Sequence, residues 1–182
     1  MKLLLFILFF TVDSPITSIN FWHLSENLYI KEVGESTNRK INNKIIQFLN
    51  NESYSEVDRF SMANAVGWQY DSDYENAKAY KQSLEWETAT TTQKYIYAYL
   101  LSFDNYFDIT KPLEIIRNNS PESLTQHLIS MILFSHDLQL KGKWKKIFPY
   151  YDSQLKKILL SIDSTTKNIN KKIEEYLILY KK

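Results

Sequence analysis

The chain has no cysteine in its 182 residues, so disulfide scaffolds, thiol nucleophiles, Cys-built zinc sites and lipid anchoring through a Cys are excluded. Glycine and proline are almost as scarce, at three and four copies. The tight turns of β-sandwiches and barrels draw on those two residues, so their scarcity favours long elements joined by short polar turns. Three glycines also leave little room for a Gly-rich phosphate cradle. H-E-x-x-H, G-x-S-x-G and the spaced aspartates of a calcium loop are missing. Of the three histidines, His127 and His136 stand nine apart, which on one helix puts them on opposite faces, unable to share a metal. The residues therefore assign no catalytic, metal or cofactor-binding site, imply no cofactor, and lead to the expectation that the chain is not an enzyme.

What is present is a folded-protein composition, 44% hydrophobic and 24% charged, with heavy aromatic content: 13 Tyr, 10 Phe and 4 Trp. The length suits one domain with a substantial core. Net charge is +1, which gives no reason to expect nucleic acid as a partner. Its distribution is uneven. From residue 139 onward there are 11 Lys against 4 acidic residues, leaving 11 basic and 17 acidic residues before it. A split of this kind can orient a molecule towards a charged surface, although a Lys-rich solvated helix face explains it equally well.

The opening "MKLLLFILFFTVDS" has one Lys and an apolar run from Leu3 to Phe10, the pattern of a secretory signal. The run is about half of what spans a bilayer, so no stable membrane span is expected. Residues 1–18 are thus read as a signal peptide and 19–182 as a single helical domain, exported to a periplasm or secreted; the alternative is a cytoplasmic protein whose apolar start packs as a first element. Cleavage signals are weak: Ser14 is followed by Pro15, and Ser18 is a second option.

Past residue 35, hydroxyl or acidic residues repeatedly precede apolar residues at helical spacing. Ser36 precedes Ile41, Ile45 and Leu49. "SYSE" at 53 and "SDYE" at 72 have the form of capping boxes. "TATTTQ" opens a run containing Tyr95, Tyr99 and Phe103. Thr110 precedes a short helix with Pro112 in its first turn, Ser120 is read as a cap with Pro121 behind it, and Gly142 is read as a stop. Ser36, Ser53, Ser72 and Thr90 lie 17, 19 and 18 residues apart. Short connections make successive helices antiparallel, so a helix pair takes about 36 residues, within the size range of solenoid repeats. The expected fold is all-α, an array of antiparallel helix pairs, either a solenoid or an irregular bundle.

Within "VGWQYDSDYENAKAYKQSLEW", Val66-Gly67 followed by Tyr70, then Asp73, Tyr74, Ala77 and Leu84-Glu85-Trp86, resembles a tetratricopeptide repeat. The likeness covers residues 54–120. Its link between Gly67 and Tyr74 is two residues shorter than the family spacing, and the closing proline is absent. A fainter second copy places Phe103, Phe107 and Leu113 at an offset of 33, with Leu100 where Gly67 stands. The resemblance implies close helix packing at Gly67 and Ala77 and a groove that binds another protein or peptide.

Candidate groove residues are Trp68, Tyr70, Tyr74, Tyr95 and Tyr99, since aromatics bury large area at little rotamer cost. Asp71, Asp73 and Glu75 form an acidic turn, which also reads as helix capping. Lys143, Trp144, Lys145 and Lys146 lie in "KGKWKKIFPYY", a basic-aromatic stretch able to meet an anionic surface or simply to keep its Lys side chains in water. The expected function is a non-enzymatic binding or scaffold role through a Tyr/Trp-lined groove. The alternative is an inhibitor or immunity-type protein that masks a toxin or enzyme with a charged face.

Overall fold

A computed structural model of the chain describes residues 14–67, 75–158 and 164–181. The fold is all-α, with no strand among the described residues. A short helix α1 (Pro15–Ser18) and a 3-10 turn (Trp22–Leu24) lead into α2 (Leu28–Glu35) and α3 (Asn43–Asn50). Then come α4 (Glu56–Val66), α5 (Asn76–Gln82), α6 (Thr91–Asp104) and α7 (Thr110–Asn118). The last three are α8 (Leu124–Leu140), α9 (Ile147–Ile158) and α10 (Ser164–Leu177), followed by a 3-10 turn at Ile178–Tyr180.

Side-chain caps set several of the starts, and they refine the sequence-based boundaries. Thr90 caps α6 in a full capping box with Gln93, as "TATTTQ" suggests. In "SYSE" the cap is Ser55 rather than Ser53, its hydroxyl accepting the Asp58 amide. Asn42, not Ser36, caps α3, and Ser123, not Ser120, caps α8. In each case a nearer Ser or Asn reaches an otherwise unpaired first-turn N–H. Ser72 lies outside the described residues, and α5 begins at Asn76 with no side-chain cap. There the Asp104 carboxylate, from the far end of α6, accepts the Ala77 amide at 3.1 Å. Gly142 takes φ +64° just past α8, the left-handed turn glycine enters without strain.

Three helices, α4, α6 and α8, make the centre. On α6 every side chain from Tyr95 to Phe103 is buried, and on α4 every one from Arg59 to Val66. A helix apolar on all sides belongs inside a protein rather than on its surface. The three run parallel. Near their first turns, Glu56 of α4 accepts from Thr92 of α6 at 2.8 Å and from Gln126 of α8 at 2.7 Å. The shorter helices α3, α5 and α7 pack outside and run the other way. Asn50, ending α3, accepts from Tyr80 of α5 and from Gln93 in the first turn of α6, at 3.0 and 3.1 Å. The Tyr95 hydroxyl, near the start of α6, donates to the Asn119 carbonyl just past α7 at 3.0 Å.

Gly67 ends α4 against the Phe103 ring of α6, and a Cβ there would sit 2.9 Å from the ring. The close approach expected at Gly67 is therefore made with α6. Ala77 is fully buried.

Residues 1–13, which hold the apolar run, lie outside the described residues. Residues 14–18, grouped with them on sequence, are part of the packed body: Ser14, Pro15 and Ile16 are buried. The helix α1 packs on α6, α8 and α10, and the 3-10 turn after it packs on α2, α4 and α10. The segment 14–24 thus crosses the row of central helices. Among the described residues no helix is long and apolar enough to cross a membrane.

Candidate binding surface

The most densely determined site is the seat of this crossing segment. Ile16, Ile19 and Phe21 are each 1% exposed, so three apolar anchors in six residues sink into the helix row. The backbone between them is gripped by one side chain. Asn64, in the last turn of α4, accepts the amides of Phe21 and Trp22 at 2.8 and 3.0 Å through Oδ1. Its Nδ2 donates to the Ile19 carbonyl at 3.3 Å and to the Tyr99 hydroxyl at 2.9 Å. All four hydrogen-bonding positions of the carboxamide are used. The Phe21 ring stacks on Tyr99 with centroids 6.4 Å apart, and Tyr99 meets Phe103 edge-on at 5.1 Å. Burial holds the Tyr99 phenol neutral by raising its pKa, more than the Asn64 hydrogen bond lowers it.

A second asparagine does similar work. Asn76 accepts the Ile41 amide at 2.9 Å and donates to the Arg39 and Val66 carbonyls at 3.1 and 3.0 Å, tying the loop before α3 to the end of α4. Neither asparagine is marked by the sequence as a site, because Asn inside a helical run looks like an exposed or capping residue. The one available signal, for Asn64, is position: an amide side chain among mostly small and apolar residues in "FSMANAV".

The candidates separate into five groups. Tyr99 belongs to the seat just described and faces the chain's own segment. Tyr95 is fully buried, and it joins α6 to α7 and, through Ser130 at 3.4 Å, to α8, so it is part of the core and lines no open groove. Trp68, Tyr70, Asp71, Asp73 and Tyr74 lie outside the described residues. Glu75 is exposed and pairs with Lys78 at 2.7 Å, a local contact on the surface of α5. Lys143, Trp144, Lys145 and Lys146 all face water just beyond α8, where the Trp144 ring stacks on Tyr180 at 5.9 Å.

At the other end of α8 an open cavity of about 530 Å³ lies between helix starts. Glu26, Ser55, Glu56, Asp58, Thr125 and Thr165 are among its lining. Asp58 is already satisfied by the Ser25 and Ser55 hydroxyls at 2.8 and 2.7 Å, and Glu56 by Thr92 and Gln126. Carboxylates at helix N-termini complement the positive ends of the helix dipoles, and that accounts for these. His136 lies inside α8, which runs unbroken past both His127 and His136. Its ring is buried, with Nε2 2.8 Å from the Tyr106 carbonyl, and desolvation lowers its pKa. No cluster of three or more potential metal ligands exists among the described residues.

No protein-family model matches the chain, and neither a curated protein nor a solved structure matches it.

Proposed function

We propose that the chain is a non-enzymatic binding protein whose helix row, α4, α6 and α8 with α10, recognises an apolar segment of a protein or peptide. The observation that carries this reading is the Asn64 grip on residues 19–22. Side-chain hydrogen bonds to backbone groups hold a segment irrespective of most of its side chains, while a few apolar anchors supply the selectivity. Here the occupant is the chain's own segment 14–24, so the surface is filled. Export, with the leader ending before Ser14 so that the crossing segment is retained, and a tetratricopeptide-like repeat remain part of the proposal. The repeat is supported by the caps Ser55, Thr90 and Ser123, which stand 35 and 33 residues apart.

The reading is tested with a fluorescent peptide of residues 14–26 and a chain carrying Ile16→Asp and Phe21→Asp, which releases the segment. The released chain should bind the peptide with micromolar affinity, the intact chain should not, and Asn64→Ala in the released chain should abolish binding. If the released chain keeps its helical circular dichroism yet ignores the peptide, the row is ordinary core and the reading fails.

A further inference from the structure

Seven large apolar side chains are exposed among the described residues, and four of them meet at one corner. Leu140 ends α8, Trp144 opens the 3-10 turn after it, and Ile178 and Leu179 lie in the 3-10 turn after α10. The two turns are held side by side by the Trp144–Tyr180 stack, whose rings are 16° from parallel. Leu179 is 65% exposed, Ile178 47% and Trp144 40%.

Lysines surround this corner. Lys143, Lys145 and Lys146 are exposed on the first turn and Lys181 on the second. Lys141 is also there, but its charge is answered by Asp137 at 2.7 Å. Other carboxylates on the flanking helices are Asp152, exposed on α9, and Glu174 and Glu175 in the last turns of α10, where Glu175 lies 3.9 Å from Lys172. Neither of the two turns contains an acidic residue.

We infer that this corner is a docking surface for an anionic lipid membrane, with Trp144, Ile178 and Leu179 entering the headgroup boundary and the lysines meeting lipid phosphates and carboxylates. Helix dipoles explain cations at helix C-termini, but they do not explain aliphatic side chains left in water. A lipid interface takes both kinds of group at once: aliphatic side chains into the acyl edge, an indole at headgroup depth, and ammonium groups above it. A nucleic-acid surface would reward the lysines and leave Ile178 and Leu179 without purpose. No arginine, the usual bidentate phosphate ligand, occurs after Arg117. The opposite end, where α4, α8 and α10 start, carries Glu26, Glu56 and Asp58, so repulsion from an anionic surface turns the lysine corner towards it.

The test is co-sedimentation of the intact chain with phosphatidylcholine vesicles, with and without about one-third phosphatidylserine. Binding is expected only to the anionic vesicles, weakening as salt rises, with a blue shift of tryptophan emission that is absent in Trp144→Phe. Lys143→Gln, Lys145→Gln and Lys146→Gln together should weaken it about 100-fold, each lysine near such a surface being worth about a factor of five. Ile178→Ser with Leu179→Ser, at exposed positions where folding is not at risk, should also weaken it. Failure of the folded chain to sediment with anionic vesicles overturns the inference. So does sedimentation that survives both sets of substitutions, or lysine-dependent binding to duplex DNA that ignores Ile178→Ser and Leu179→Ser.

Discussion

The two ends of α8 are chemically opposite. At its start, polar groups answer one another: Gln126 accepts the Glu122 amide at 2.8 Å and donates to Glu56, and Ser123 caps the helix. Beyond its end, cations and apolar side chains stand in water, with Trp144 40% exposed beside Tyr180. Both ends obey the dipole rule of acids at the N-terminus and bases at the C-terminus, so charge alone does not tell them apart. Satisfaction does. The first end is complete without a partner, and the second is stable but leaves apolar surface uncovered.

The comparison can be broken from the satisfied side first. Asn64→Ala, beside the crossing segment, removes four hydrogen bonds and strands the buried Phe21 amide, and should destabilise the fold by about 3 kcal/mol in urea titration. An effect below about 1 kcal/mol would mean water replaces the carboxamide, and the grip is not structural. Glu56→Ala takes the shared acceptor from Thr92 and from buried Gln126, and should cost about 2 kcal/mol by the same measurement.

Acid probes α8 between its ends. Desolvation sets the pKa of buried His136 below its ordinary 6.5, outweighing the raising effects of the Tyr106 carbonyl and Asp137. The unfolded chain then takes up a proton that the folded chain resists. Stability from this residue is full above pH 6.5 and is lost as pH falls from there through the depressed value. Thermal melts between pH 7 and 5 should show that decline, and His136→Gln should flatten it. The smallest effect belongs to the open end: Leu179→Ser should change stability by less than about 0.5 kcal/mol while altering vesicle binding.

The helical architecture is legible because it is written locally. Scarce Gly and Pro, cap residues and 3.6-residue periodicity each concern neighbours within one or two turns, and Thr90 and Gly142 sit where the pattern puts them. Cap choice among close alternatives, Ser53 against Ser55 or Ser120 against Ser123, depends on backbone direction that a residue pattern does not encode. The seat of segment 14–24 is less legible still. Asn64 lies 43 residues from Phe21, and nothing near either residue announces the other. Tyr95 and Tyr99 show the same limit: aromatic spacing marks a helix face, but whether that face meets solvent, core or the chain's own terminus is decided by packing across the molecule.

The shared Glu56 carboxylate has a consequence for how the molecule opens. One group joins the first turns of three parallel helices whose sequence positions span 70 residues. Fraying any one of them releases acceptor bonds that the other two rely on, so the three ends should exchange their amide hydrogens as one cooperative unit. The lysine corner has no such knot, and its turns are expected to exchange separately and sooner. The protein would then be held firmly at one pole and loosely at the pole it turns outward.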